Sequence, residues 1–177
     1  MKNIIKFTTL VFIIISLYSV SLFAQWEVNI DNDLMFIMNF DDKNESALGV
    51  GVDTSIADNW ASAYGNAQIS VVLFYSEKIM PENDLYLRIK KKSNNYIRYS
   101  ISDEDIIEND EDIYIGIGIN TENGVRANNL IKILLDSSSV ELYSNDELLG
   151  SYKMEGLKEV LEENLGNTEW YNQKIKN

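Results

Sequence analysis

Leu85-Tyr-Leu-Arg-Ile-Lys-Lys-Lys-Ser-Asn-Asn-Tyr-Ile-Arg-Tyr-Ser-Ile-Ser102 decides the fold. Apolar and polar residues alternate on both sides of a short Ser/Asn break, the period-two pattern of two antiparallel strands with one buried face. A three-residue turn at Ser93-Asn94-Asn95 sets the register by side-chain parity. Leu87, Ile89, Ile97, Tyr99 and Ile101 then share one face. The opposite face collects Arg88, Lys90, Lys92 and Arg98, with Tyr86 and Tyr96 beside them.

The same rhythm continues outward in both directions. Strands are expected at Trp26–Ile30, Leu34–Phe40, Ala47–Asp53, Gln68–Tyr75, Leu85–Lys92, Tyr96–Ser102, Ile113–Asn120, Val140–Ser144 and Leu149–Met154. Two segments change period: Ala127, Leu130, Ile131, Leu134 and Leu135, and then Leu157, Val160, Leu161 and Leu165, fall at helical spacing. The expected architecture is therefore mainly β, a two-layer antiparallel β-sandwich of about nine strands with two short helices. Trp26 and Trp60 read as core anchors, because large aromatics at such positions are mostly buried. After Gly166 the pattern stops, and Asn167–Asn177 reads as a polar, loosely ordered tail despite Trp170 and Tyr171.

Residues 1–24 have a different character. Lys2 and Lys6 precede the apolar run Leu10–Ile15, and Leu22-Phe23-Ala24 offers a small-residue exit before Gln25, the pattern of a cleavable secretory signal. Nothing after Trp26 approaches the roughly 20 apolar residues that a membrane helix requires. The expected organisation is a leader over 1–24, a β-sandwich over 25–166 and the tail over 167–177, placing the product in the periplasm or outside the cell.

Composition narrows the chemistry. The chain's 15 basic side chains lose Lys2 and Lys6 with the leader, leaving 13 against 28 acids, so nucleic acid is not expected as a partner. Cysteine is absent, so no disulfide can staple an exported fold and the core alone must hold it. Histidine is absent too, which removes the usual general base near neutral pH, Cys/His zinc sites and Ser-His or Cys-His nucleophile pairs.

Leu48-Gly-Val-Gly-Val-Asp-Thr54 returns as Ile115-Gly-Ile-Gly-Ile-Asn-Thr121, with similar neighbours, and suggests two related halves of one sandwich. The glycines leave one strand face bare, a pattern that fits close approach by a ring or helix over the sheet.

Two constellations point to function. On an acidic chain, the Arg88/Lys90/Lys92/Arg98 face with Tyr86 and Tyr96 is placed to hold a flat anionic or sugar-like ligand; a solvated face or a guarded sheet edge is the simpler structural reading. Asp103–Asp112 holds seven carboxylates, and Asp103, Asp105, Asp110 and Asp112 offer the hard oxygen ligands suited to calcium, although the spacing fits no defined loop. The expected role is thus an exported, non-enzymatic binding or interaction module of the bacterial cell envelope, acting on an envelope protein or an anionic glycan or peptide, with no cofactor. A calcium-assisted adhesion module and a carboxylate-dependent hydrolase are the alternatives. The final helix, strand, strand and Gly156-Leu157 helix resemble the ending of the invasion-associated locus B family of small periplasmic β-sandwich proteins. That family carries cysteines, and no activity or residue is transferred from it.

Overall fold

A computed structural model of the chain describes residues 26–57, 69–109, 112–119 and 125–176. The expected leader, Trp60 and Asp110 lie outside these residues. In chain order the strands are β1 (Glu27–Asp31), β2 (Leu34–Asp41), β3 (Ser46–Asp53), β4 (Ser70–Ser76), β5 (Leu85–Lys91), β6 (Tyr96–Ser100), β7 (Ile106–Glu108), β8 (Ile113–Ile117), β9 (Ser137–Ser144) and β10 (Glu147–Lys153). Among the described residues three α-helices accompany them: α1 (Thr54–Ala57), α2 (Val125–Leu135) and α3 (Leu157–Leu165). A 3-10 turn covers Asp103–Asp105 and a π-turn Tyr171–Ile175. None of the helices among the described residues is long and apolar enough to cross a membrane.

The strands form two antiparallel sheets, β1-β2-β3-β4-β8-β7 and β10-β9-β5-β6, so the mainly β, sandwich-like architecture expected from the alternation is what the chain adopts. Each central strand turns one row inward. Leu48, Val50 and Val52 on β3, Val72 and Phe74 on β4, Leu87 and Ile89 on β5, and Val140 and Leu142 on β9 are all buried in one interior. Strand β10 packs on β2 and β3, while α2 lies against β4 and β9, one strand from each sheet. Its Ala127, Leu130, Ile131 and Leu134 are fully buried, which is the helical spacing read from the sequence.

The extra strand, β7, pairs with β8 through Ile106↔Ile115 and Ile107↔Tyr114. Its alternation is too short to stand out inside the acidic run. Strand β8 ends at Ile117, and Gly118 falls in a turn at φ +101°, so only Gly116 keeps a place on the strand. On β3, Gly51 leaves room for its cross-strand neighbours: a methyl there would come within 3.0 Å of the Phe36 ring and 2.9 Å of Val71. The bare face thus belongs to local packing. The two glycine segments also differ in connection, since β3 leads to a neighbour in its own sheet whereas β8 leads through α2 into the other sheet. Related halves are not seen in this topology.

The polar tail is not loose. Trp170 is fully buried, Tyr171 and Ile175 are nearly so, and all three join the central core. The anchor is Asn128 on α2, whose Oδ1 accepts hydrogen bonds from Trp170 Nε1 at 3.0 Å and Ser70 Oγ at 2.9 Å. One side-chain oxygen therefore ties β4, α2 and the C-terminal turn together. Composition alone hid this, because the few apolar residues of the tail are spaced for a π-turn rather than a full helix.

Hydrogen bonds also close the seam between the sheets at β10. Asn39 Nδ2 donates to the Lys153 carbonyl at 2.9 Å, and the Ser151 N–H donates to Asp41 Oδ2 at 2.8 Å. Deeper in, the Tyr152 hydroxyl donates to Ser46 Oγ at 2.8 Å. Burial pushes the Asp41 carboxyl up, but the Asn44 side chain and the backbone N–H groups of Ser151, Asn44 and Lys43 outweigh it and hold it below the usual carboxylate range.

Two outcomes follow. In chemical denaturation Trp170→Ala costs about 3–5 kcal/mol as a buried truncation, and Trp170→Phe about 1 kcal/mol for the lost N–H bond. Because the folded pKa of Asp41 is depressed, its contribution is complete above the unfolded carboxylate pKa and is lost as pH falls below about 4. Asp41→Asn lowers stability at neutral pH by about 1 kcal/mol and flattens the acid limb of a stability–pH curve.

Candidate functional site

The hairpin that decided the fold also builds the site. Arg88↔Arg98, Lys90↔Tyr96 and Tyr86↔Ser100 are the outward pairs between β5 and β6, while Leu87↔Tyr99 and Ile89↔Ile97 face inward. The observed turn is Lys92-Ser93-Asn94, one residue earlier than expected, with Lys91 N–H bonded to the Asn95 carbonyl and Asn94 at φ +65°. That moves the register by two residues, which preserves parity. The predicted faces therefore hold.

Lys92 is the exception. It leaves the sheet face for the turn, and its Nζ donates to the Leu135 carbonyl at 2.9 Å, while Lys91 pairs with Asp136 at 2.8 Å and reaches the Ile133 carbonyl. Both lysines sit at the C-terminal end of α2, where the free carbonyls and the negative end of the helix dipole favour cations. Lys92 is a helix-capping residue.

Across the remaining face, β9 adds Glu141 opposite Arg88 and Tyr143 opposite Tyr86. Two arginines placed directly opposite each other would repel. They turn apart instead. Arg88 makes a two-point contact with Glu141 Oε2, from Nε at 2.7 Å and from its terminal nitrogen at 2.6 Å, and Arg98 pairs with Asp84 at 2.6 Å. Each guanidinium then lies over aromatic rings: Arg98 is 3.5 Å from the Tyr86 centroid, and Arg88 is 5.0 Å from Tyr143 and 5.7 Å from Tyr96. Tyr86 and Tyr143 stack at 5.2 Å with their planes 5° apart. Lys90 lies 5.9 Å from the Tyr96 ring, which is 59% exposed and crowns the face.

Loops lock this ladder. The β9–β10 turn, with Asn145 and Asp146 both at positive φ, brings Asp146 to the Tyr86 hydroxyl at 2.7 Å. Asn145 accepts from the Asp84 N–H and donates to Asn83, and Asn83 donates to Ser144, so the loop carrying Asp84 is fastened where Arg98 needs it. The hydrogen bond to Asp146 raises the Tyr86 phenol above its ordinary value, burial and Glu141 raise Tyr143, and Glu141 raises Arg88. All three groups thus keep their protons, presenting neutral phenols beside permanent cations. The product is a flat surface. An acidic cleft of about 400 Å³ lies away from it beside Tyr75, Glu77 and Asp112, and another of about 680 Å³ adjoins it, lined by Glu82, Asp103 and the supporting Asn83 and Asp84.

The three described members of the predicted calcium set, Asp103, Asp105 and Asp112, form no metal-binding group. Asp105 is 2% exposed and already committed, accepting from the Ser102 N–H, the Ser102 hydroxyl at 2.7 Å and Arg126 at 2.7 Å. Arg126 also binds Glu104 at 2.6 Å, clamping the 3-10 turn to the first turn of α2. Asp103 is exposed, and Asp112 accepts a long 3.5 Å bond from the Tyr75 hydroxyl, with its N–H capped by Asn109. No group of three or more acids able to hold a metal ion exists among the described residues. Sequence reading missed Arg126 here, because nothing local marks an arginine on a helix as the partner of an acid 21 residues earlier.

No family model matches the chain, nor does any curated protein or solved structure. The site is accordingly read from its own chemistry.

Asp105→Asn costs about 2 kcal/mol by weakening a charge-assisted network, whereas Asp103→Asn stays within about 0.5 kcal/mol as an exposed substitution. Thermal melts of both variants with and without calcium check this: the Asp105→Asn deficit persists unchanged in either condition.

Proposed function

We propose that this protein is a non-enzymatic binding module exported to the bacterial cell envelope, with the outer face of the β10-β9-β5-β6 sheet as its ligand surface. The observation that carries the reading is the ladder of alternating cations and rings on that face: Arg98 over Tyr86, Tyr86 stacked on Tyr143, and Arg88 over Tyr143 and Tyr96. Rigid aromatic planes supply large contact area at little entropic cost, and guanidiniums supply directional donors beside them. Arg88 and Arg98 stay about half exposed despite their carboxylate partners, and a guanidinium has more donors than one carboxylate uses.

The complementary ligand is an anionic glycan or peptide, or an envelope protein displaying one. A planar sugar or peptide face stacks on Tyr96, and its acidic group meets Lys90, which lies over that same ring. The leader-like residues 1–24 support an envelope location, and the absence of histidine and cysteine supports binding over the common catalytic chemistries.

The test replaces Arg88, Lys90 and Arg98 together by Ser and measures binding to envelope fractions, with circular dichroism confirming the fold. Binding weakens by at least about tenfold, equivalent to roughly 1.4 kcal/mol. Undiminished binding by a folded triple variant removes this face as the ligand surface.

A further inference from the structure

The two sheets end in four edge strands, β1 and β7 in one and β6 and β10 in the other. Edges invite pairing with other chains, and proteins usually blunt them. Three are blunted here. Strand β7 is three residues long, β6 carries Arg98 at its centre, and β10 has its Ser151 N–H and Lys153 carbonyl engaged by Asp41 and Asn39.

Strand β1 carries the acids Glu27 and Asp31, but its outward backbone groups are left unengaged. It joins β2 through the two-residue turn Asn32-Asp33, so the closing pair Asp31↔Leu34 is the hydrogen-bonded type, as are Asn29↔Phe36 and Glu27↔Met38 in alternation. Val28 and Ile30 consequently aim their N–H and C=O groups away from β2. No group among the described residues bonds to them. Their side chains share the core-side face with Ile37 and Met35, yet Val28 is 40% and Ile30 58% exposed. The cause is an overhang: β10 packs on β2 and β3, leaving the core-side face of β1 beyond its cover.

We propose that β1 is a docking edge that receives an extended strand from a partner protein, and that this strand reads basic–apolar–x–apolar–basic. Its two apolar residues sit opposite Val28 and Ile30, continuing the core layer, while its basic residues oppose Glu27 and Asp31 on the other face. In the full-overlap register a second copy of this chain is disfavoured. Antiparallel pairing of β1 with itself about Asn29 brings each Glu27 opposite the Asp31 of the other copy, and like charges directly opposite are destabilising. The occupant is a foreign, cationic strand, complementary in charge to Glu27 and Asp31 and to a chain of formal charge −13.

The test uses the full chain and two probe peptides, acetyl-Thr-Lys-Val-Thr-Val-Lys-Thr-amide and its counterpart with Glu for Lys. The lysine peptide binds and slows hydrogen exchange at the Val28 and Ile30 amides, and the glutamate peptide binds at least about tenfold more weakly. Ile30→Pro removes one outward N–H, a change edge strands tolerate, and abolishes binding. The surface exchange Glu27→Lys with Asp31→Lys reverses the preference between peptides and keeps the proposal testable if the proline variant fails to fold. Equal binding of the two peptides, slowed exchange at β6 instead, or concentration-dependent dimerisation that protects Val28 and Ile30 without peptide each overturns it. The basic-aromatic face plays no part in this docking, so failure of either surface leaves the other standing.

Discussion

Without any covalent cross-link, the relative position of the two sheets depends on a few hydrogen bonds that cross between them. Burial of apolar surface supplies most of the driving force but no direction, since it scales with area rather than alignment. Tyr152 on Ser46, Asn39 on the Lys153 carbonyl and Asp41 on the Ser151 N–H supply that direction along the β10 seam. Asn128 fixes α2 and the C-terminal turn to β4 in the same directional way, joining Ser70 and Trp170. Burial raises the Tyr152 phenol well above its ordinary value, so the hydroxyl stays a neutral donor and its bond to Ser46 is indifferent to pH. Asp41 is the pH-sensitive member of the seam.

The same sheet that is pinned on its inner side carries the ligand surface on its outer side. Every inward residue of β5 alternates with an outward one, so packing Leu87 and Ile89 into the core holds Tyr86, Arg88 and Lys90 in place. Sites on strands are positioned more tightly than sites on loops, and here the supporting loop contacts through Asn83, Asp84, Asn145 and Asp146 add a second layer of constraint. Charge is balanced locally: each arginine has a carboxylate on one side and a ring on the other. A strongly acidic protein can thereby keep cations at a defined spot without losing them to the general surface field.

Much of this was legible from residue order. Parity in Leu85–Ser102 sorted the basic-aromatic face from the core face, and a two-residue error in turn register did no harm because it kept each side chain on its side. Lys92 was lost from the face for the same reason, since the shift carried it into the turn and within reach of the last carbonyls of α2. Glu141, Tyr143 and Asp84 were invisible as site residues because they arrive from β9 and from a separate loop. Asp105 looked like a metal ligand in a run of acids, and only the folded chain shows Arg126 and Ser102 occupying it.

Alternation and helical spacing determined nine of the ten described strands and the two longer helices, in order, and which side of each is apolar, because those properties depend on nearest neighbours along the backbone. Partner choice between elements was decided by the tertiary structure: which strand lies at an edge, which tail residues are buried, and which acid meets which base. Those outcomes depend on distances between residues far apart in the chain, such as Asn39 and Lys153 or Asn128 and Trp170, and a linear pattern carries no term for them.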